Sequence, residues 1–444
     1  MNKNKMIDMT PSQIIAEYMT RLYDNCMTTT SGGNLSVMDE SGSLWISPSG
    51  VDKAHLTPND IMEVKADGAI CGKHRPSTEY PFHLAVRKVR PDLKAVLHAH
   101  PAALVALSLA RKIPDIDLFP GTDTICGFDL KNGKGIAIAE YALPGSELLG
   151  SYIADKFAKG YNVVILENHG VCLGAETMEK AYRMLEALEY SARIQISAAT
   201  LGSPARHLTA DELCAKADAE ESIKRGAYTA KKYDAPNAAE KTARAETVEM
   251  AKRCYKNKLF SAANGVFATR LADGGFVITP ADSDVMLINA EDTVKICGDF
   301  AENGKIPSPF ASIIGKIFDT HADIQSIAVA RPVDVMGFAV TDAKFDSHLI
   351  PEGYICLRNV SRCKFGAVEN EADRIAAEMS MKTPIAIVEN DCVIVAGTSP
   401  LNAYDRLEVM EFGARSLRYL AAVGAPVVRI SEKDIKDIET AFGL

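Results

Sequence analysis

The pattern of apolar and polar positions predicts helices that alternate with strands in the first half of the chain. Apolar residues recur at helical spacing in five segments, 11–25, 78–90, 101–111, 145–158 and 176–200. Short apolar runs bounded by turn-forming residues predict strands within 30–38, 43–47, 61–64, 94–100 and 162–167. Strands mixed with flanking helices indicate an α/β or α+β domain.

The same pattern returns after a connecting segment. Residues 203–245 are polar, charged and rich in alanine, without a clear apolar face, and they predict a helical linker. A chain of 444 residues is also too long for a single hydrophobic core. We therefore predict a domain over 1–202, the linker over 203–245 and a second domain over 246–444.

A tandem duplication explains the returning pattern. Six pairs of short motifs support it: Pro76-Ser77 with Pro307-Ser308, Pro101 with Pro332, Glu167-Asn168 with Glu389-Asn390, Ala181-Tyr182 with Ala403-Tyr404, Ile46-Ser47-Pro48 with Ile278-Thr279-Pro280, and Ser31-x-x-Asn34 with Ser261-x-x-Asn264. Because the motifs keep their order and nearly constant spacing, we conclude that the second domain is a copy of the first.

Two histidines of the first domain lie in one predicted strand. His98 and His100 are two residues apart in the apolar run 94–100, so their side chains face the same way, as two ligands of one metal ion must. His169 follows another apolar strand, and Glu79 lies at the start of a predicted helix. Three histidines and one carboxylate predict an open zinc site with a general base beside it. The alternative is that each histidine is a hydrogen-bonded core residue.

The second domain provides an internal control on these two interpretations. It carries other residues at all four positions: Phe310 for Glu79, Val329 for His98, Arg331 for His100 and Asp391 for His169. Their proline and asparagine neighbours persist. Core-filling histidines would be retained in part, so the joint loss favours a working site in the first domain. We expect a structural or interface role for the second.

Composition narrows the class of function. A net charge of -9 argues against a general nucleic-acid binder and against attraction to an anionic membrane. No run approaches the ~18 apolar residues that span a bilayer, and the first residues lack the apolar region of a signal peptide. The ten cysteines are scattered, without a Cys-x-x-Cys pair. In such a chain this predicts reduced thiols and a cytoplasmic location.

Five segments occur in a fixed order in the first domain: Ser31-Gly32-Gly33-Asn34, Ser47-Pro48-Ser49-Gly50-Val51-Asp52-Lys53, Pro76-Ser77-Thr78-Glu79, His98-Ala99-His100-Pro101 and Asn168-His169-Gly170. Together they resemble the class II aldolase/adducin superfamily, typified by L-fuculose-1-phosphate aldolase. The resemblance covers about residues 10–202 with full motifs and about 246–425 as a degraded copy. It implies two domains, each with a central mixed or antiparallel sheet flanked by helices.

The resemblance also implies the role of each motif. It implies a divalent zinc ion, with manganese or cobalt as alternatives, held by His98, His100 and His169. It gives Glu79 the place of the acid/base catalyst. It implies that a substrate phosphate is bound by Gly33, Asn34, Ser49, Gly50, Ser77 and Thr78. From the residues alone, we expect Lys53 to be a solvated surface charge and His83 to be structural.

The implied activity is a zinc-dependent lyase reaction, the aldol cleavage of a small phosphorylated ketose. Family aldolases carry a tyrosine after an Ile-Pro step, where this chain has Leu118, so Tyr141 and Tyr354 are the candidates to replace it. Two alternatives stay open: a dehydratase similar to the methylthioribulose-1-phosphate dehydratases, and a non-catalytic adducin-like scaffold. Because family enzymes commonly form rings of four, we also expect a homo-oligomer in which two chains build a four-domain ring.

Overall fold

The computed structural model describes residues 9–128, 135–262 and 264–444. The chain forms two compact units. Of the described residues, the N-terminal unit takes in 9–116, 121–128 and 135–193, and the C-terminal unit takes in 117–120, 194–262 and 264–444. Each unit has its own β-sheet with helices packed against it.

An eight-stranded sheet forms the centre of the N-terminal unit. Its strands are β1 (Asn34–Met38), β2 (Leu44–Ile46), β3 (Met62–Val64), β4 (Ile70–Cys71), β5 (Ala95–Ala99), β6 (Ile136–Ala139), β7 (Val163–Leu166) and β8 (Gly170–Ala175). They lie in the order β4-β3-β2-β1-β5-β8-β7-β6, and every pair is antiparallel except β6 and β7. Strand β5, which carries His98, is therefore a central strand between β1 and β8.

Helix α2 is the helix that positions the site. The helices of this unit are α1 (Pro11–Asp24), α2 (Tyr80–Val89), α3 (Ala102–Leu109), α4 (Thr122–Cys126) and α5 (Glu147–Ala158), and α6 (Met178–Thr200) begins here. Phe82 and Val86 of α2 pack in one buried apolar cluster with Ile153 of α5 and Val96 of β5. Burial of each such side chain is worth roughly 1.5–3 kcal/mol. This packing holds Glu79, the N-cap of α2, against the central strands.

A nine-stranded sheet forms the centre of the C-terminal unit. Its strands are β9 (Thr229–Lys231), β10 (Val266–Arg270), β11 (Phe276–Ile278), β12 (Val294–Cys297), β13 (Phe300–Glu302), β14 (Ser326–Ala330), β15 (Val360–Cys363), β16 (Ile385–Val388) and β17 (Cys392–Gly397). They lie in the order β15-β16-β17-β14-β10-β11-β12-β13-β9. The run β11-β10-β14-β17-β16-β15 repeats the run β2-β1-β5-β8-β7-β6 of the first sheet. The predicted duplication and the predicted fold class are both confirmed.

The remaining elements are mostly helical. They are α7 (Ala210–Gly226), α8 (Ala238–Lys256), α9 (Ala311–Thr320), α10 (Val333–Ala339), α11 (Pro351–Leu357), α12 (Ala367–Asn370), α13 (Ala372–Glu378), α14 (Pro400–Val423) and α15 (Glu432–Phe442), with 3₁₀ turns at Lys53–His55, Pro58–Asp60, Ala290–Asp292 and Ser347–Leu349. Among the described residues, no helix is both long and apolar enough to cross a membrane.

The structure contains several elements that the sequence pattern did not predict, the two-residue strand β4 among them. Strand β8 was not predicted: it follows the turn at Asn168, which is left-handed (φ 54), and all its residues are buried, so no alternation of apolar and polar positions marks it. Helix α4 was not predicted either. The predicted linker 203–245 contains β9, which pairs in parallel with β13. All three residues of β9 are exposed, so no apolar pattern reveals the strand.

Candidate metal centre and active site

Strand β5 places His98 at the centre of the first sheet. The imidazole is fully buried, and its Nδ1 lies 2.9 Å from the carbonyl oxygen of Val171. A carbonyl only accepts, so Nδ1 carries the proton and Nε2 keeps its lone pair. Burial and the neighbouring His169 lower the pKa of His98 to about 3. His98 is therefore neutral at physiological pH, with the tautomer fixed by a carbonyl as in many metal-bound histidines.

His100 lies immediately after β5 and faces the same side as His98. Its Nε2 is 2.9 Å from Nε2 of His98, as the alternation of a strand predicts. Burial and then the adjacent His98 lower the pKa of His100 to about 3. Two nitrogen lone pairs of neutral imidazoles thus converge within one coordination sphere.

His169 comes from the turn between β7 and β8. The left-handed Asn168 and a hydrogen bond of 3.1 Å from the His169 N–H to Leu166 O close this turn. The next residue, Gly170, is required, because a Cβ there would lie 2.5 Å from the carbonyl oxygen of Ala99. Burial lowers the pKa of His169, so this imidazole is also neutral.

Glu79 faces the histidines from the start of α2. Its Oε2 lies 3.2 Å from Nε2 of His98, and its Oε1 lies 3.7 Å from Nε2 of His169. The carboxylate is buried, and Oε1 accepts no hydrogen bond from the described residues. An unsatisfied buried carboxylate oxygen is rare in native proteins and points to a functional role.

The donor set fits a divalent metal ion. One ligand atom from each of His98, His100 and His169 lies within 4.8 Å of the other two, and no other such group occurs among the described residues. Three neutral imidazoles suit zinc, cobalt and related ions, and three protein ligands leave a coordination position for substrate. The structure thus brings together all three histidines and the glutamate that the sequence singled out.

The turns predicted to bind phosphate fall into two groups. An isolated bridge between Pro48 and Pro76 and a hydrogen bond of 2.9 Å from Ser49 N–H to Arg75 O hold the two serine-containing turns side by side. Ser49 is half-buried, and Gly50 and Thr78 are exposed. Ser77 is buried, and its Oγ accepts from the N–H of Glu79 at 3.3 Å.

Gly33 lies in the turn before β1, where the backbone is left-handed (φ 69). A Cβ there would lie 2.9 Å from both His98 O and Thr28 Oγ1. A side chain would therefore push this turn away from β5, the strand that carries two of the histidines.

Asn34 differs from the other predicted phosphate ligands. Its side chain is buried, and Nδ2 donates to Oε2 of Glu79 at 2.7 Å. Its Oδ1 lies 2.5 Å from Nε2 of His83. Both polar ends of this side chain are engaged within the protein.

One sequence-based expectation, that for Lys53, was wrong about the surroundings of the side chain. Lys53, expected to be solvated, is buried and donates through Nζ to the carbonyl oxygen of Pro48. Burial lowers the pKa of Lys53 to about 8. Its long apolar stem allows an ammonium group to lie beneath the Ser49–Gly50 turn. His83 is structural in the sense that it is fully buried, but it contacts Asn34 and so connects to Glu79.

Strand pairing gives a firmer match between the two copies than sequence identity does. Asn34 pairs with His98 across β1 and β5. In the second copy Val266 pairs with Val329, the counterpart of His98, across β10 and β14. Val266 is therefore the counterpart of Asn34.

The turn before each strand agrees with this match. The N–H of Gly32 donates to Thr29 Oγ1 at 3.2 Å, and the N–H of Asn264 donates to Ser261 Oγ at 3.1 Å. Asn264 thus corresponds to Gly32, and the match of Ser31-x-x-Asn34 with Ser261-x-x-Asn264 was wrong. The error is a shift of two residues, which preserves the alternation of faces and leaves the apolar pattern unchanged.

In the C-terminal unit, charged residues that form ion pairs occupy the positions that correspond to two of the histidines. Arg331 and Asp391, which replace His100 and His169, pair at 2.9 Å. Lys216 of α7 adds contacts of 2.7 Å to Asp391 and 2.5 Å to Glu369. Burial opposes the charge of Lys216, but the carboxylates of Asp391, Glu369 and Glu220 outweigh it and raise its pKa. An ammonium group thus neutralises carboxylates where the first copy has three histidines.

We predict that Lys216→Met destabilises the C-terminal unit by about 3–5 kcal/mol, because it leaves Asp391 buried with one cation fewer. Denaturant unfolding of the full chain measures this change. Lys224→Met is the matched control: Lys224 pairs with Asp282, whose side chain is 64% exposed, and the loss there should stay below about 1 kcal/mol. Equal effects of the two variants would contradict the assignment of Lys216 as a buried structural cation.

Leu118 does not supply a substitute for the family tyrosine. Its side chain is fully buried, and its carbonyl oxygen accepts from Asn390 Nδ2 at 2.8 Å within the C-terminal unit. The hydroxyl of Tyr354 donates to Glu439 at 2.7 Å, so this candidate replacement is engaged elsewhere. Tyr141 is largely exposed.

Fold and site together define a class of protein, an α/β domain whose central sheet brings together three histidines and a glutamate in a donor set that fits a divalent metal ion. The family model for the Class II Aldolase and Adducin N-terminal domain matches residues 13–196 and 245–417, and the chain belongs to this family. The two matched regions also confirm the duplication.

Two similar proteins each match about 45% of this chain, and the match covers nearly the whole length of each of them. 5-Deoxy-D-ribulose 1-phosphate aldolase of Bacillus thuringiensis serovar kurstaki is 29% identical over 205 residues, 45% of this chain and 90% of that protein. 3-Oxo-tetronate 4-phosphate decarboxylase of Escherichia coli strain K12 is 30% identical over 207 residues, with coverage of 45% and 94%. A solved L-fuculose 1-phosphate aldolase is 30% identical, with coverage of 47% and 94% and a TM-score of 0.40.

Proposed function

We propose that this protein is a zinc-dependent lyase that cleaves a small phosphorylated ketose by a retro-aldol reaction. In this proposal His98, His100 and His169 hold the metal ion and Glu79 is the acid/base catalyst. The observation that carries it is the convergence of Glu79 on the histidines, with Oε2 3.2 Å from Nε2 of His98. The similarity to an aldolase and a decarboxylase of phosphorylated sugars and sugar acids supports the same class of chemistry.

The proposed reaction requires one proton transfer at carbon. Cleavage of the C3–C4 bond of a ketose 1-phosphate takes the proton from the C4 hydroxyl, releases an aldehyde and leaves electron density at C3. A divalent metal at the histidines supplies Lewis-acid polarisation of the substrate carbonyl. Glu79 is placed to hold and deliver the proton that C3 receives, because Oε1 has no competing donor among the described residues. The products are dihydroxyacetone phosphate and the aldehyde.

We propose that the substrate phosphate binds at the turns that contain Gly33, Ser49–Gly50 and Ser77–Thr78. Backbone N–H groups and hydroxyls of such turns are good phosphate donors. The Pro48–Pro76 bridge, which holds the two serine turns together, supports a shared subsite. The buried ammonium of Lys53 beneath one turn adds positive charge to this side of the site.

Dehydration of a sugar phosphate is the second candidate reaction. The buried Leu118 favours it, since a leucine cannot accept the proton that the C4 hydroxyl loses in aldol cleavage. The same metal ligands and Glu79 would serve, because both reactions include a proton transfer at C3, next to the carbonyl: dehydration removes that proton and the C4 hydroxyl leaves as water, whereas cleavage adds a proton there. A purely structural, adducin-like role is disfavoured, because the first copy keeps the complete ligand set that the second has lost.

We expect protein purified without added metal to cleave ketose 1-phosphates such as 5-deoxyribulose 1-phosphate or L-fuculose 1-phosphate. Release of dihydroxyacetone phosphate, followed in a coupled assay, measures cleavage, and loss of water from the substrate, followed by mass spectrometry, measures dehydration. Chelation should abolish either activity, and zinc, manganese or cobalt should restore it. A protein that consumes none of the sugar phosphates after metal reloading would contradict the proposal.

The arrangement of domains and chains is part of the proposal. We retain domains over 1–202 and 246–444 with the connecting segment 203–245, and we assign the second domain a structural or interface role. The ion pairs around Lys216, in the place of metal ligands, support that assignment. A homo-oligomer built from two chains would provide the four domains of a family-type ring.

A further inference from the structure

A continuous chain of buried hydrogen bonds leads away from Glu79. Asn34 Nδ2 donates to Glu79 Oε2 at 2.7 Å, and Asn34 Oδ1 lies 2.5 Å from His83 Nε2. His83 Nδ1 in turn lies 2.7 Å from Ser36 Oγ. The guanidinium of Arg87 closes the chain, with Nη2 3.3 Å from Ser36 O and 2.8 Å from Lys94 O. Four side chains beyond Glu79 are thus linked in the interior.

The hydrogen bonds of this series can be donated in only one consistent direction. The Glu79 carboxylate accepts only, so the NH₂ of Asn34 faces it and Asn34 Oδ1 must accept from His83. His83 then carries its proton on Nε2 and accepts at Nδ1 from the Ser36 hydroxyl. Burial and the adjacent Arg87 lower the pKa of His83 well below its usual value, in keeping with a neutral ring. A neutral His83 with the proton on Nε2 prevents the Asn34 amide from flipping its oxygen towards Glu79.

The second copy shows that the fold itself does not need these polar groups. By the strand pairing and the helix starts, five counterparts occupy one hydrophobic core: Val266 for Asn34, Ala268 for Ser36, Phe310 for Glu79, Ile314 for His83 and Phe318 for Arg87. Buried polar side chains stabilise a fold less than well-packed apolar ones, so an apolar core gives the more stable fold at these positions. The polar chain and the glutamate are present together in one copy and absent together in the other.

We propose that Asn34 and His83 are positioning residues for Glu79: His83 fixes the Asn34 amide, and Asn34 anchors one oxygen of the Glu79 carboxylate. Oε2 is the anchored oxygen, and Oε1, which faces His169, is the oxygen that exchanges the proton. This proposal rests on the proposed function, because the proton transfer at Oε1 is a step of the proposed lyase reaction. It places the role of Asn34 at Glu79 rather than at the substrate phosphate.

The kinetic test uses His83→Ile, which copies the second domain, and His83→Gln, which keeps a donor for Asn34. We expect His83→Ile to lower kcat about 10- to 100-fold, with KM within about twofold and metal content unchanged. His83→Gln should recover most of the loss. Because His83 acts through Glu79, the double variant His83→Ile/Glu79→Gln should be no slower than Glu79→Gln alone. His321→Leu, which removes a half-buried histidine of the C-terminal unit, is the matched control for loss of a histidine.

A second measurement does not depend on turnover. In metal-free protein with ¹⁵N-labelled histidine, the His83 resonances, assigned by their loss in His83→Gln, should show the Nε2–H tautomer alone. A His83 proton on Nδ1, a kcat of His83→Ile within twofold of wild type, or a loss that adds to that of Glu79→Gln would overturn the proposal. If wild-type protein cleaves no sugar phosphate, the proposed function fails, while the tautomer still decides whether His83 holds Asn34.

Discussion

Replacement of His169 by alanine is expected to abolish metal binding and to lower lyase turnover by at least about 10³-fold. Two remaining imidazoles cannot hold a divalent ion as three do, and substrate polarisation is lost with the ion. His169 is the better choice for this test than His98, because its side chain is 16% exposed and that of His98 is 0% exposed. A cavity at His169 opens towards solvent, so the fold should survive.

Metal content by elemental analysis and turnover should fall together in His169→Ala. The matched control is His207→Ala, which removes a half-exposed histidine that pairs with Asp117 in the C-terminal unit. It should retain about one metal ion per chain and wild-type turnover. An active His169→Ala variant with its metal intact would rule out the three-histidine centre.

Replacement of Glu79 by glutamine should separate metal binding from catalysis. The amide is nearly isosteric with the carboxylate and still accepts from Asn34, so the metal site and the fold should persist. It cannot hold and release a proton at physiological pH, and loss of general acid/base catalysis costs about 10²- to 10⁴-fold in turnover. We therefore expect full metal content, a KM within a fewfold of wild type and a kcat lowered by that factor.

Glu176→Gln is the control for this variant, since Glu176 lies at an exposed position and pairs with Lys180 on the surface at 2.8 Å. It should match wild type in both measurements. If Glu79→Gln kept wild-type kcat, another group would have to carry the proton. If it lost its metal instead, Glu79 would be a ligand rather than the acid/base catalyst.

Much of the fold was accessible from the sequence because periodicity records which face of each element is buried. The helices α1, α2 and α5 and the strands β5 and β7 lie close to their predicted bounds. The elements that were not predicted leave no such record. Strand β9 is exposed along its whole length and β8 is buried along its whole length, so neither shows an alternation of buried and exposed positions. Both depend on pairing with distant strands.

The candidate site was accessible for a different reason. The alternation of a strand predicted His98 and His100 on one side of the sheet. Glu79 and His169 were added to the same site because all four positions are replaced together in the second copy. The same comparison also contains His83 and Ile314 at an offset of 231 residues, so the signal for His83 was present in the sequence. What the sequence could not supply is the direction of the Asn34 side chain, because the hydrogen-bond chain connects residues far apart in sequence.

The most direct test of the central claim is the location of the metal ion in a crystal of the reloaded protein, by anomalous scattering at the absorption edge of the added ion. The account predicts one strong peak per chain, at about 2.0–2.1 Å from a nitrogen of each of His98, His100 and His169. It predicts no peak beside Arg331 and Asp391. A peak elsewhere, or no peak at the three histidines under conditions where the protein is active, would contradict a metal-dependent site in the first copy.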